Sequence, residues 1–349
     1  MKKRVTGLRC QVSDFVFTGT RHLTPETCFM KALRYDKGRL EVAEVAKPVD
    51  EREAVVRVLL SGICNTDVEI VRGYAGFEGT IGHEFVGLVE SAPGAPELLG
   101  ERVVGEINAG CGECELCLSG DSRHCSRRTV LGIVGRDGAH AEFLRLPVVN
   151  LLRVPESVSN ERAVFAEPLA AAFGITERAP VGHESRVAVI GDGKLGILCA
   201  QALSLSEPAR LLLIGKHSNK LSIAAGRGIE TAQLEEVEGK LAREFNVVVE
   251  ASGSEGGFAL ALDLLRPRGT LVLKSTFHGE TRVATARIVV DEISVVGSRC
   301  GRFAPALDLL ERRAVDVESL ISEEYSLTDG LRAMQRATER GVIKVLLRQ

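Results

Sequence analysis

From residue 30 to about residue 178 the apolar positions come in short runs broken by glycine. Ala54–Leu60, Phe85–Val89, Arg102–Glu106 and Phe143–Leu146 are strand-sized, with turn residues at short intervals, so a β-rich sheet or barrel is predicted there. The run Met30-Lys31-Ala32-Leu33-Arg34-Tyr35 reads as its first strand, and alanine-rich Ala163–Thr176 reads as helix. Near residue 180 the rhythm changes. Val187–Ile190 is continuously apolar and leads through a glycine turn into a helical pattern over Leu195–Leu205. Leu211–Ile214, Val247–Glu250 and Thr270–Leu273 repeat the theme, with helix-compatible segments between. Strands apolar on both faces that alternate with helices predict a doubly wound α/β unit: a parallel sheet covered on each side. Residues 300–349 return to mixed character and end in the strand-like run Val342–Leu347. The expected organisation is a β-rich unit from 30–178 plus 300–349, and a doubly wound α/β unit at 179–299.

Length and charge narrow the class. A chain of 349 residues, 45% of them apolar, suits two domains with proper cores. A net charge of −3 gives no reason to expect nucleic acid or an anionic membrane as a partner. No apolar run approaches the roughly 20 residues that span a bilayer. Residues 1–29 are polar and patternless, with Lys2, Lys3, Arg4, Arg9 and Arg21, and lack the apolar stretch of a signal peptide. They read as a disordered leader, or as the product of a start assigned upstream of Met30. A mitochondrial-type presequence fits less well, because Asp14 and Glu26 interrupt the basic character.

Four of the nine cysteines, Cys111, Cys114, Cys117 and Cys125, crowd into fifteen residues. Without a secretory signal such crowding reads as metal ligation in a reducing, cytoplasmic setting. The spacing Cys-x2-Cys-x2-Cys-x7-Cys lets one loop wrap a tetrahedral ion, and Gly112, Gly120 and Asp121 ease its bends. Four thiolates close the coordination sphere of zinc, so this ion would be structural.

A catalytic zinc needs three protein ligands and an open position. Cys64 and His83 offer a thiolate and an imidazole, and Glu167, in Ala166-Glu167-Pro168-Leu169, could be a third. Taken singly, each has an ordinary reading: a small buried hydrophobe, a satisfied core histidine, and a carboxylate at a helix start. The cofactor signal is Gly191-Asp192-Gly193-Lys194-Leu195-Gly196, placed after an apolar strand and before a helix. Gly191 permits the turn, Gly193 lets backbone approach a pyrophosphate, Gly196 allows strand–helix packing, and the helix N-terminus faces the phosphates. The next strand ends in Gly215-Lys216-His217-Ser218-Asn219-Lys220. NAD sites usually place a carboxylate here; glycine followed by Lys216 and His217 predicts NADP in preference to NAD.

Taken together, Cys64-x-Thr66-Asp67, Gly82-His83-Glu84, the four-cysteine loop, Glu167-Pro168 and the glycine turn resemble the zinc-containing medium-chain alcohol dehydrogenase family, in order and distance, over Met30–Gln349. The glutamate-proline is similar to the polyol, sugar and threonine dehydrogenase branch. The resemblance implies a GroES-like catalytic domain beside a Rossmann domain, and two zinc ions per chain. It implies a catalytic zinc on Cys64, His83 and Glu167, with Glu84 nearby as an exchangeable carboxylate. Asp67 would orient His83. Thr66 would pass on the alcohol's proton while hydride moves to the nicotinamide. Glu69 stands where many members carry the histidine that ends the relay. Lys344 lies where a basic residue often meets the cofactor phosphates. The run Ile288–Val296, interrupted by Asp291-Glu292, resembles an edge strand that pairs across a two-fold, which implies a homodimer or homotetramer. His140, His183, His278, Cys199 and Cys300 carry no motif and read as structural or surface residues. Arg299 and Arg302 flank a turn near the substrate or a subunit seam. The substrate class implied is a small alcohol or its carbonyl. A biosynthetic dehydrogenase of a large, specialised substrate and a silent zinc-stabilised binding protein are the rival readings.

Overall fold

The computed structural model describes residues 29–276, 282–283 and 285–349. The leader before Phe29, and His278, lie outside the described residues. In the first region the glycine-punctuated runs form β1 (Phe29–Asp36), β2 (Arg39–Ala46), β3 (Ala54–Gly62), α1 (Asn65–Val71), β4 (Gly79–Thr80) and β5 (Glu84–Ser91). There follow β6 (Arg102–Gly105), β7 (Asn108–Ala109), α2 (Glu115–Leu118), β8 (Thr129–Val130), β9 (Phe143–Leu146), β10 (Leu151–Arg153), α3 (Asn160–Ala163) and α4 (Ala166–Phe173). The second region comprises β11 (Arg186–Ile190), α5 (Lys194–Ser204), β12 (Arg210–Gly215), α6 (Ser218–Ala225), β13 (Glu230–Gln233) and α7 (Leu234–Val237). It continues through β14 (Phe245–Glu250), α8 (Glu255–Leu264), β15 (Leu265–Leu273), α9 (Thr285–Val290) and β16 (Ser294–Gly297). The chain closes with α10 (Phe303–Glu311), β17 (Ile321–Ser326), α11 (Gly330–Ala337) and β18 (Lys344–Arg348).

Two large sheets result. One runs β10-β6-β5-β3-β18-β17, with β9 also on β3. The last strand of the chain thus lies antiparallel against β3 and parallel to β17. The other sheet is wholly parallel, in the order β13-β12-β11-β14-β15-β16. Its central strands are buried on both faces. Val187, Val189 and Leu213 pack into one hydrophobic cluster, while Ala188, Ile190, Leu212 and Ile214 pack into the opposite one. This double burial is why those strands carry no polar alternation. The strand order reverses direction beside β11, and ligands of open parallel sheets bind at the carboxyl ends of strands at such a switch point.

One expectation needs revision. The run Ile288–Val296 is not a single strand: α9 ends at Val290, a turn follows with Glu292 at φ 51°, and only Ser294–Gly297 is strand, at the sheet edge. Asp291 breaks the run, because its buried carboxylate pairs with Arg243 and Arg287. The opposite edge, β13, has the polar sequence Glu-Thr-Ala-Gln and carries no apolar signal.

Candidate functional site

The four-cysteine loop closes on itself. The sulfurs of Cys111, Cys114, Cys117 and Cys125 lie within 4.8 Å of one another. All four thiols are free. Gly112 and Gly120 take φ 80° and 82°, the left-handed turns that bring the sulfurs round. Arg127 donates from its backbone N–H to Cys125 Sγ at 3.3 Å and from Nη2 to Cys111 Sγ at 3.2 Å. The Glu113 N–H is the chief cause that lowers the Cys111 thiol to about 6. Donors aimed at sulfur favour thiolates, the form that binds metal.

The second group is assembled by strand pairing. In the β3–β5 ladder Gly62 lies opposite Glu84. Cys64, two residues beyond β3, and His83, immediately before β5, therefore meet at the same end of the sheet. Cys64 caps the start of α1. Ligand atoms of Cys64, His83 and Glu84 lie within 4.8 Å of one another. Thr66 follows on α1, with Oγ1 3.7 Å from Cys64 Sγ. Asp67 is fully buried beneath them, with Oδ1 3.3 Å from His83 Nδ1, and it also accepts from the Cys64 and Gly82 N–H groups. Burial works to raise the Asp67 carboxyl, but His83 and His140 beside it hold it well below the usual carboxylate range. Burial likewise opposes charge on His83 and Cys64. Asp67 and the thiolate nevertheless hold the imidazole well above its ordinary value, and Lys194 and His83 hold the thiol well below. The donor chemistry and burial of this group fit a zinc ion with a thiolate and an imidazole ligand.

Glu167 opens α4 and is half-buried, and it is not part of that compact donor group. Glu84 enters instead because it adjoins His83 on the chain, whereas Glu167 comes from a separate helix. Burial raises the Glu167 carboxyl, against the pull of nearby His83. Glu84 has both oxygens occupied: Oε1 accepts from Lys194 Nζ at 2.6 Å and Oε2 from Lys344 Nζ. Lys344 departs from the sequence expectation. Its ammonium is fully buried on Glu84 and the Ile63 carbonyl, which offset the cost of its desolvation, rather than open to a phosphate. Gly62 makes room for this pair: a Cβ there would stand 2.5 Å from Lys344 Nζ and 2.7 Å from Glu84 Oε2.

The glycine turn follows β11 at the switch point. Gly191 has φ 120°, and a Cβ on it would meet the Ala251 carbonyl at 2.6 Å. A Cβ on Gly196 would collide with the Gly191 carbonyl oxygen, so helix and strand pack only through glycine. Gly193, the N-cap of α5, has open space beside it. Lys194 and Leu195 form the first helical turn. Lys216 is exposed and His217 is half-exposed at the start of α6. Between them and the turn stands Asp192, whose Oδ2 accepts the N–H groups of Lys216 and His217 (2.7 and 2.6 Å) and lies 2.9 Å from His217 Nδ1.

Three contributors were not legible in the sequence. His140 is fully buried, with Nε2 3.5 Å from Asp67 Oδ2 and Nδ1 2.9 Å from Ser61 Oγ, behind the Cys64–His83 pair. It belongs to no motif, so the sequence marks no role for it. Asp192 occupied a variable position of the glycine motif; only the absence of side-chain room at Gly215 betrays it, because a Cβ there would meet Asp192 Cβ at 2.5 Å. Lys274 is buried at the end of β15 and donates to the Ser298 and Arg299 carbonyls. Arg299 in turn reaches Asn108 Oδ1 and the Arg123 carbonyl, tying the end of β16 to the cysteine-loop region.

Two family models match the chain: an alcohol dehydrogenase GroES-like domain over residues 50–156, and a zinc-binding dehydrogenase model over residues 198–312. A sorbitol dehydrogenase of Halalkalibacterium halodurans is 30% identical over 341 residues, covering 91% of this chain and 99% of the relative. An erythritol/L-threitol dehydrogenase of Mycolicibacterium smegmatis is 29% identical, covering 83% and 88%. Among solved structures, a Sinorhizobium meliloti protein bound to NADP superposes with a TM-score of 0.84 at 26% identity, covering 92% of this chain and all of that one. An Escherichia coli alcohol dehydrogenase complexed with NADH gives 0.84 at 25%, covering 92% and 99%.

Proposed function

Because this chain belongs to the zinc-containing medium-chain alcohol dehydrogenase family, we propose that it oxidises a polyol, sugar or other secondary alcohol, or reduces the matching carbonyl, with a nicotinamide dinucleotide. The observation that carries this reading is the Lys194–Glu84 contact, which sets the Cys64–His83–Glu84 group against the first turn of the dinucleotide helix. Relatives that act on sorbitol and on erythritol or threitol support a polyol or sugar substrate.

We assign Cys64, His83 and Glu167 to a catalytic zinc, and Cys111, Cys114, Cys117 and Cys125 to a structural one. Glu167 is preferred to Glu84 because the Glu84 oxygens are engaged by two ammonium groups. A zinc ion there would acidify an alcohol as it acidifies water. Asp67 holds His83 through Nδ1 and leaves Nε2 to the metal. Thr66 accepts the substrate proton and donates onward. Glu69, one turn along α1 and paired with Arg72, is the outer acceptor. Asp67→Asn is expected to weaken zinc binding at this site by about 10–100-fold, measured by competition with a chelator. An unchanged affinity would remove Asp67 from the role given to it.

NADP is the proposed cofactor. Gly215 brings no carboxylate, Lys216 and His217 supply cations, and Asp192 is occupied in holding their loop. Lys216→Ala should lower kcat/KM for NADP by about 10-fold, the loss of one charge-assisted bond, and leave NAD nearly unaffected. We further propose a homodimer or homotetramer formed along edge strand β16, with exposed Val289 and Val290 beside it. A reducing, cytoplasmic location accords with the free thiols. Among the described residues no helix is long and apolar enough to cross a membrane.

The deciding experiment follows reduced-cofactor absorbance with zinc-loaded protein against polyols, sugars, secondary alcohols and hydroxy-amino acids, using NADP⁺ and NAD⁺ in parallel. Turnover of one class, faster with NADP⁺, is expected. Faster turnover with NAD⁺ would overturn the cofactor assignment alone. Binding of zinc and cofactor without turnover would move the reading to a specialised substrate or a silent binding protein.

A further inference from the structure

Glu84 is within ligand reach of Cys64 and His83, yet each of its oxygens is held by an ammonium group. The two lysines are not equivalent. Lys344 is fully buried and also donates to the Ile63 carbonyl at 3.0 Å, so it is fixed. Lys194 comes from the other sheet system, and its side chain keeps 11% of its exposure. It is also the first residue of α5, the helix whose N-terminus the glycine turn presents to phosphate. One residue therefore faces two anions. Its backbone lies in the phosphate-binding turn, and its side chain holds the carboxylate beside the metal donors. A lysine ammonium has three donors on a flexible stem and can change partner without backbone movement.

We propose that Lys194 is a latch on Glu84 operated by the dinucleotide: pyrophosphate draws the Lys194 ammonium away, and the released Glu84 oxygen turns toward the Cys64–His83 pair. This rests on the zinc site proposed above. When Lys194 leaves, Oε2 stays on Lys344 while Oε1 is left buried and unpaired, and a cation held by Cys64 and His83 is within its reach. Linkage makes the effect reciprocal: a metal that attracts Glu84 frees Lys194 for phosphate and so tightens dinucleotide binding by the same factor. Lys194 is thus a positioning residue, acting through Glu84.

The test uses Co²⁺ in place of zinc, whose visible bands report coordination, and ADP-ribose, which has the pyrophosphate but no nicotinamide to react. The Cys64→Ser protein supplies the four-cysteine background for subtraction. In the wild-type protein the remaining band should shift as ADP-ribose saturates. In Lys194→Met the band should already be displaced, and ADP-ribose, its binding followed by calorimetry, should move it no further. Calorimetry should also show ADP-ribose binding about 5-fold or more tighter to wild-type protein with the Cys64 site filled than with it empty. That difference should vanish in Lys194→Met. If the methionine variant does not fold, Lys194→Gln makes the same comparison. A wild-type band indifferent to bound ADP-ribose, or a variant that responds as wild type does, overturns the latch. No band beyond the Cys64→Ser background would overturn the metal site itself, and the latch with it.

Discussion

Cys64→Ser is expected to cut kcat/KM by about 1,000-fold or more, and to lower bound zinc from two ions per chain to one. The metal's Lewis acidity is worth several kcal/mol of transition-state stabilisation, at about 1.4 kcal/mol per factor of ten, and a serine hydroxyl is a poor substitute for a thiolate ligand. The thiolate is already favoured here by Lys194 and His83 despite burial, and no neighbouring group supplies that charge in serine. The fold should survive, because Cys64 is only partly buried at the helix start and the four-cysteine loop lies elsewhere in the chain. Metal analysis beside a melting curve makes the check. Retention of both zinc ions with full turnover would remove Cys64 from the site.

Glu84→Gln is expected to cost about 3–5 kcal/mol of stability, the range seen when one partner of a buried ion pair is removed. Glu84 and Lys344 are both fully buried, and the amide would leave the two ammonium groups without a counter-charge. Burial already depresses Lys344 to about 8, so relief would come in part through its deprotonation. The loss, read from urea unfolding, should accordingly shrink as pH rises toward 8 and level off above it, where Lys344 is neutral with or without the carboxylate. A change below about 1 kcal/mol at pH 7 would show that the three groups are not coupled as described.

The sequence carried the two sheets unevenly. β11, β12, β14 and β15 were plain because both faces of each are buried, so apolar residues run without interruption. β13 left no trace because an edge strand with partly exposed residues tolerates Glu-Thr-Ala-Gln. Ile288–Val296 misled because its apolar content was continuous enough to mimic a strand, while the buried Asp291 carboxylate, satisfied by two arginines, marks a turn. At the site, the residue types that can ligate metal at close spacing were legible. What joins them was not. His140, Asp192 and the partners of Glu84 are brought in from 24 to 260 residues away, and spacing along the chain holds no record of such contacts.

The position of β18 bears on the order in which the molecule is made. The parallel sheet is built from one continuous stretch, Arg186–Gly297, and can form while the chain is still being synthesised. The first sheet cannot finish in the same way. Its strand β3 waits for β18, and Glu84 waits for Lys344, 260 residues further along the chain. Until then the Leu60–Gly62 end of β3 presents an unpaired edge, the kind of surface on which nascent chains associate wrongly. A polypeptide cut before Lys344 would hold every proposed zinc ligand and lack the strand that closes their sheet.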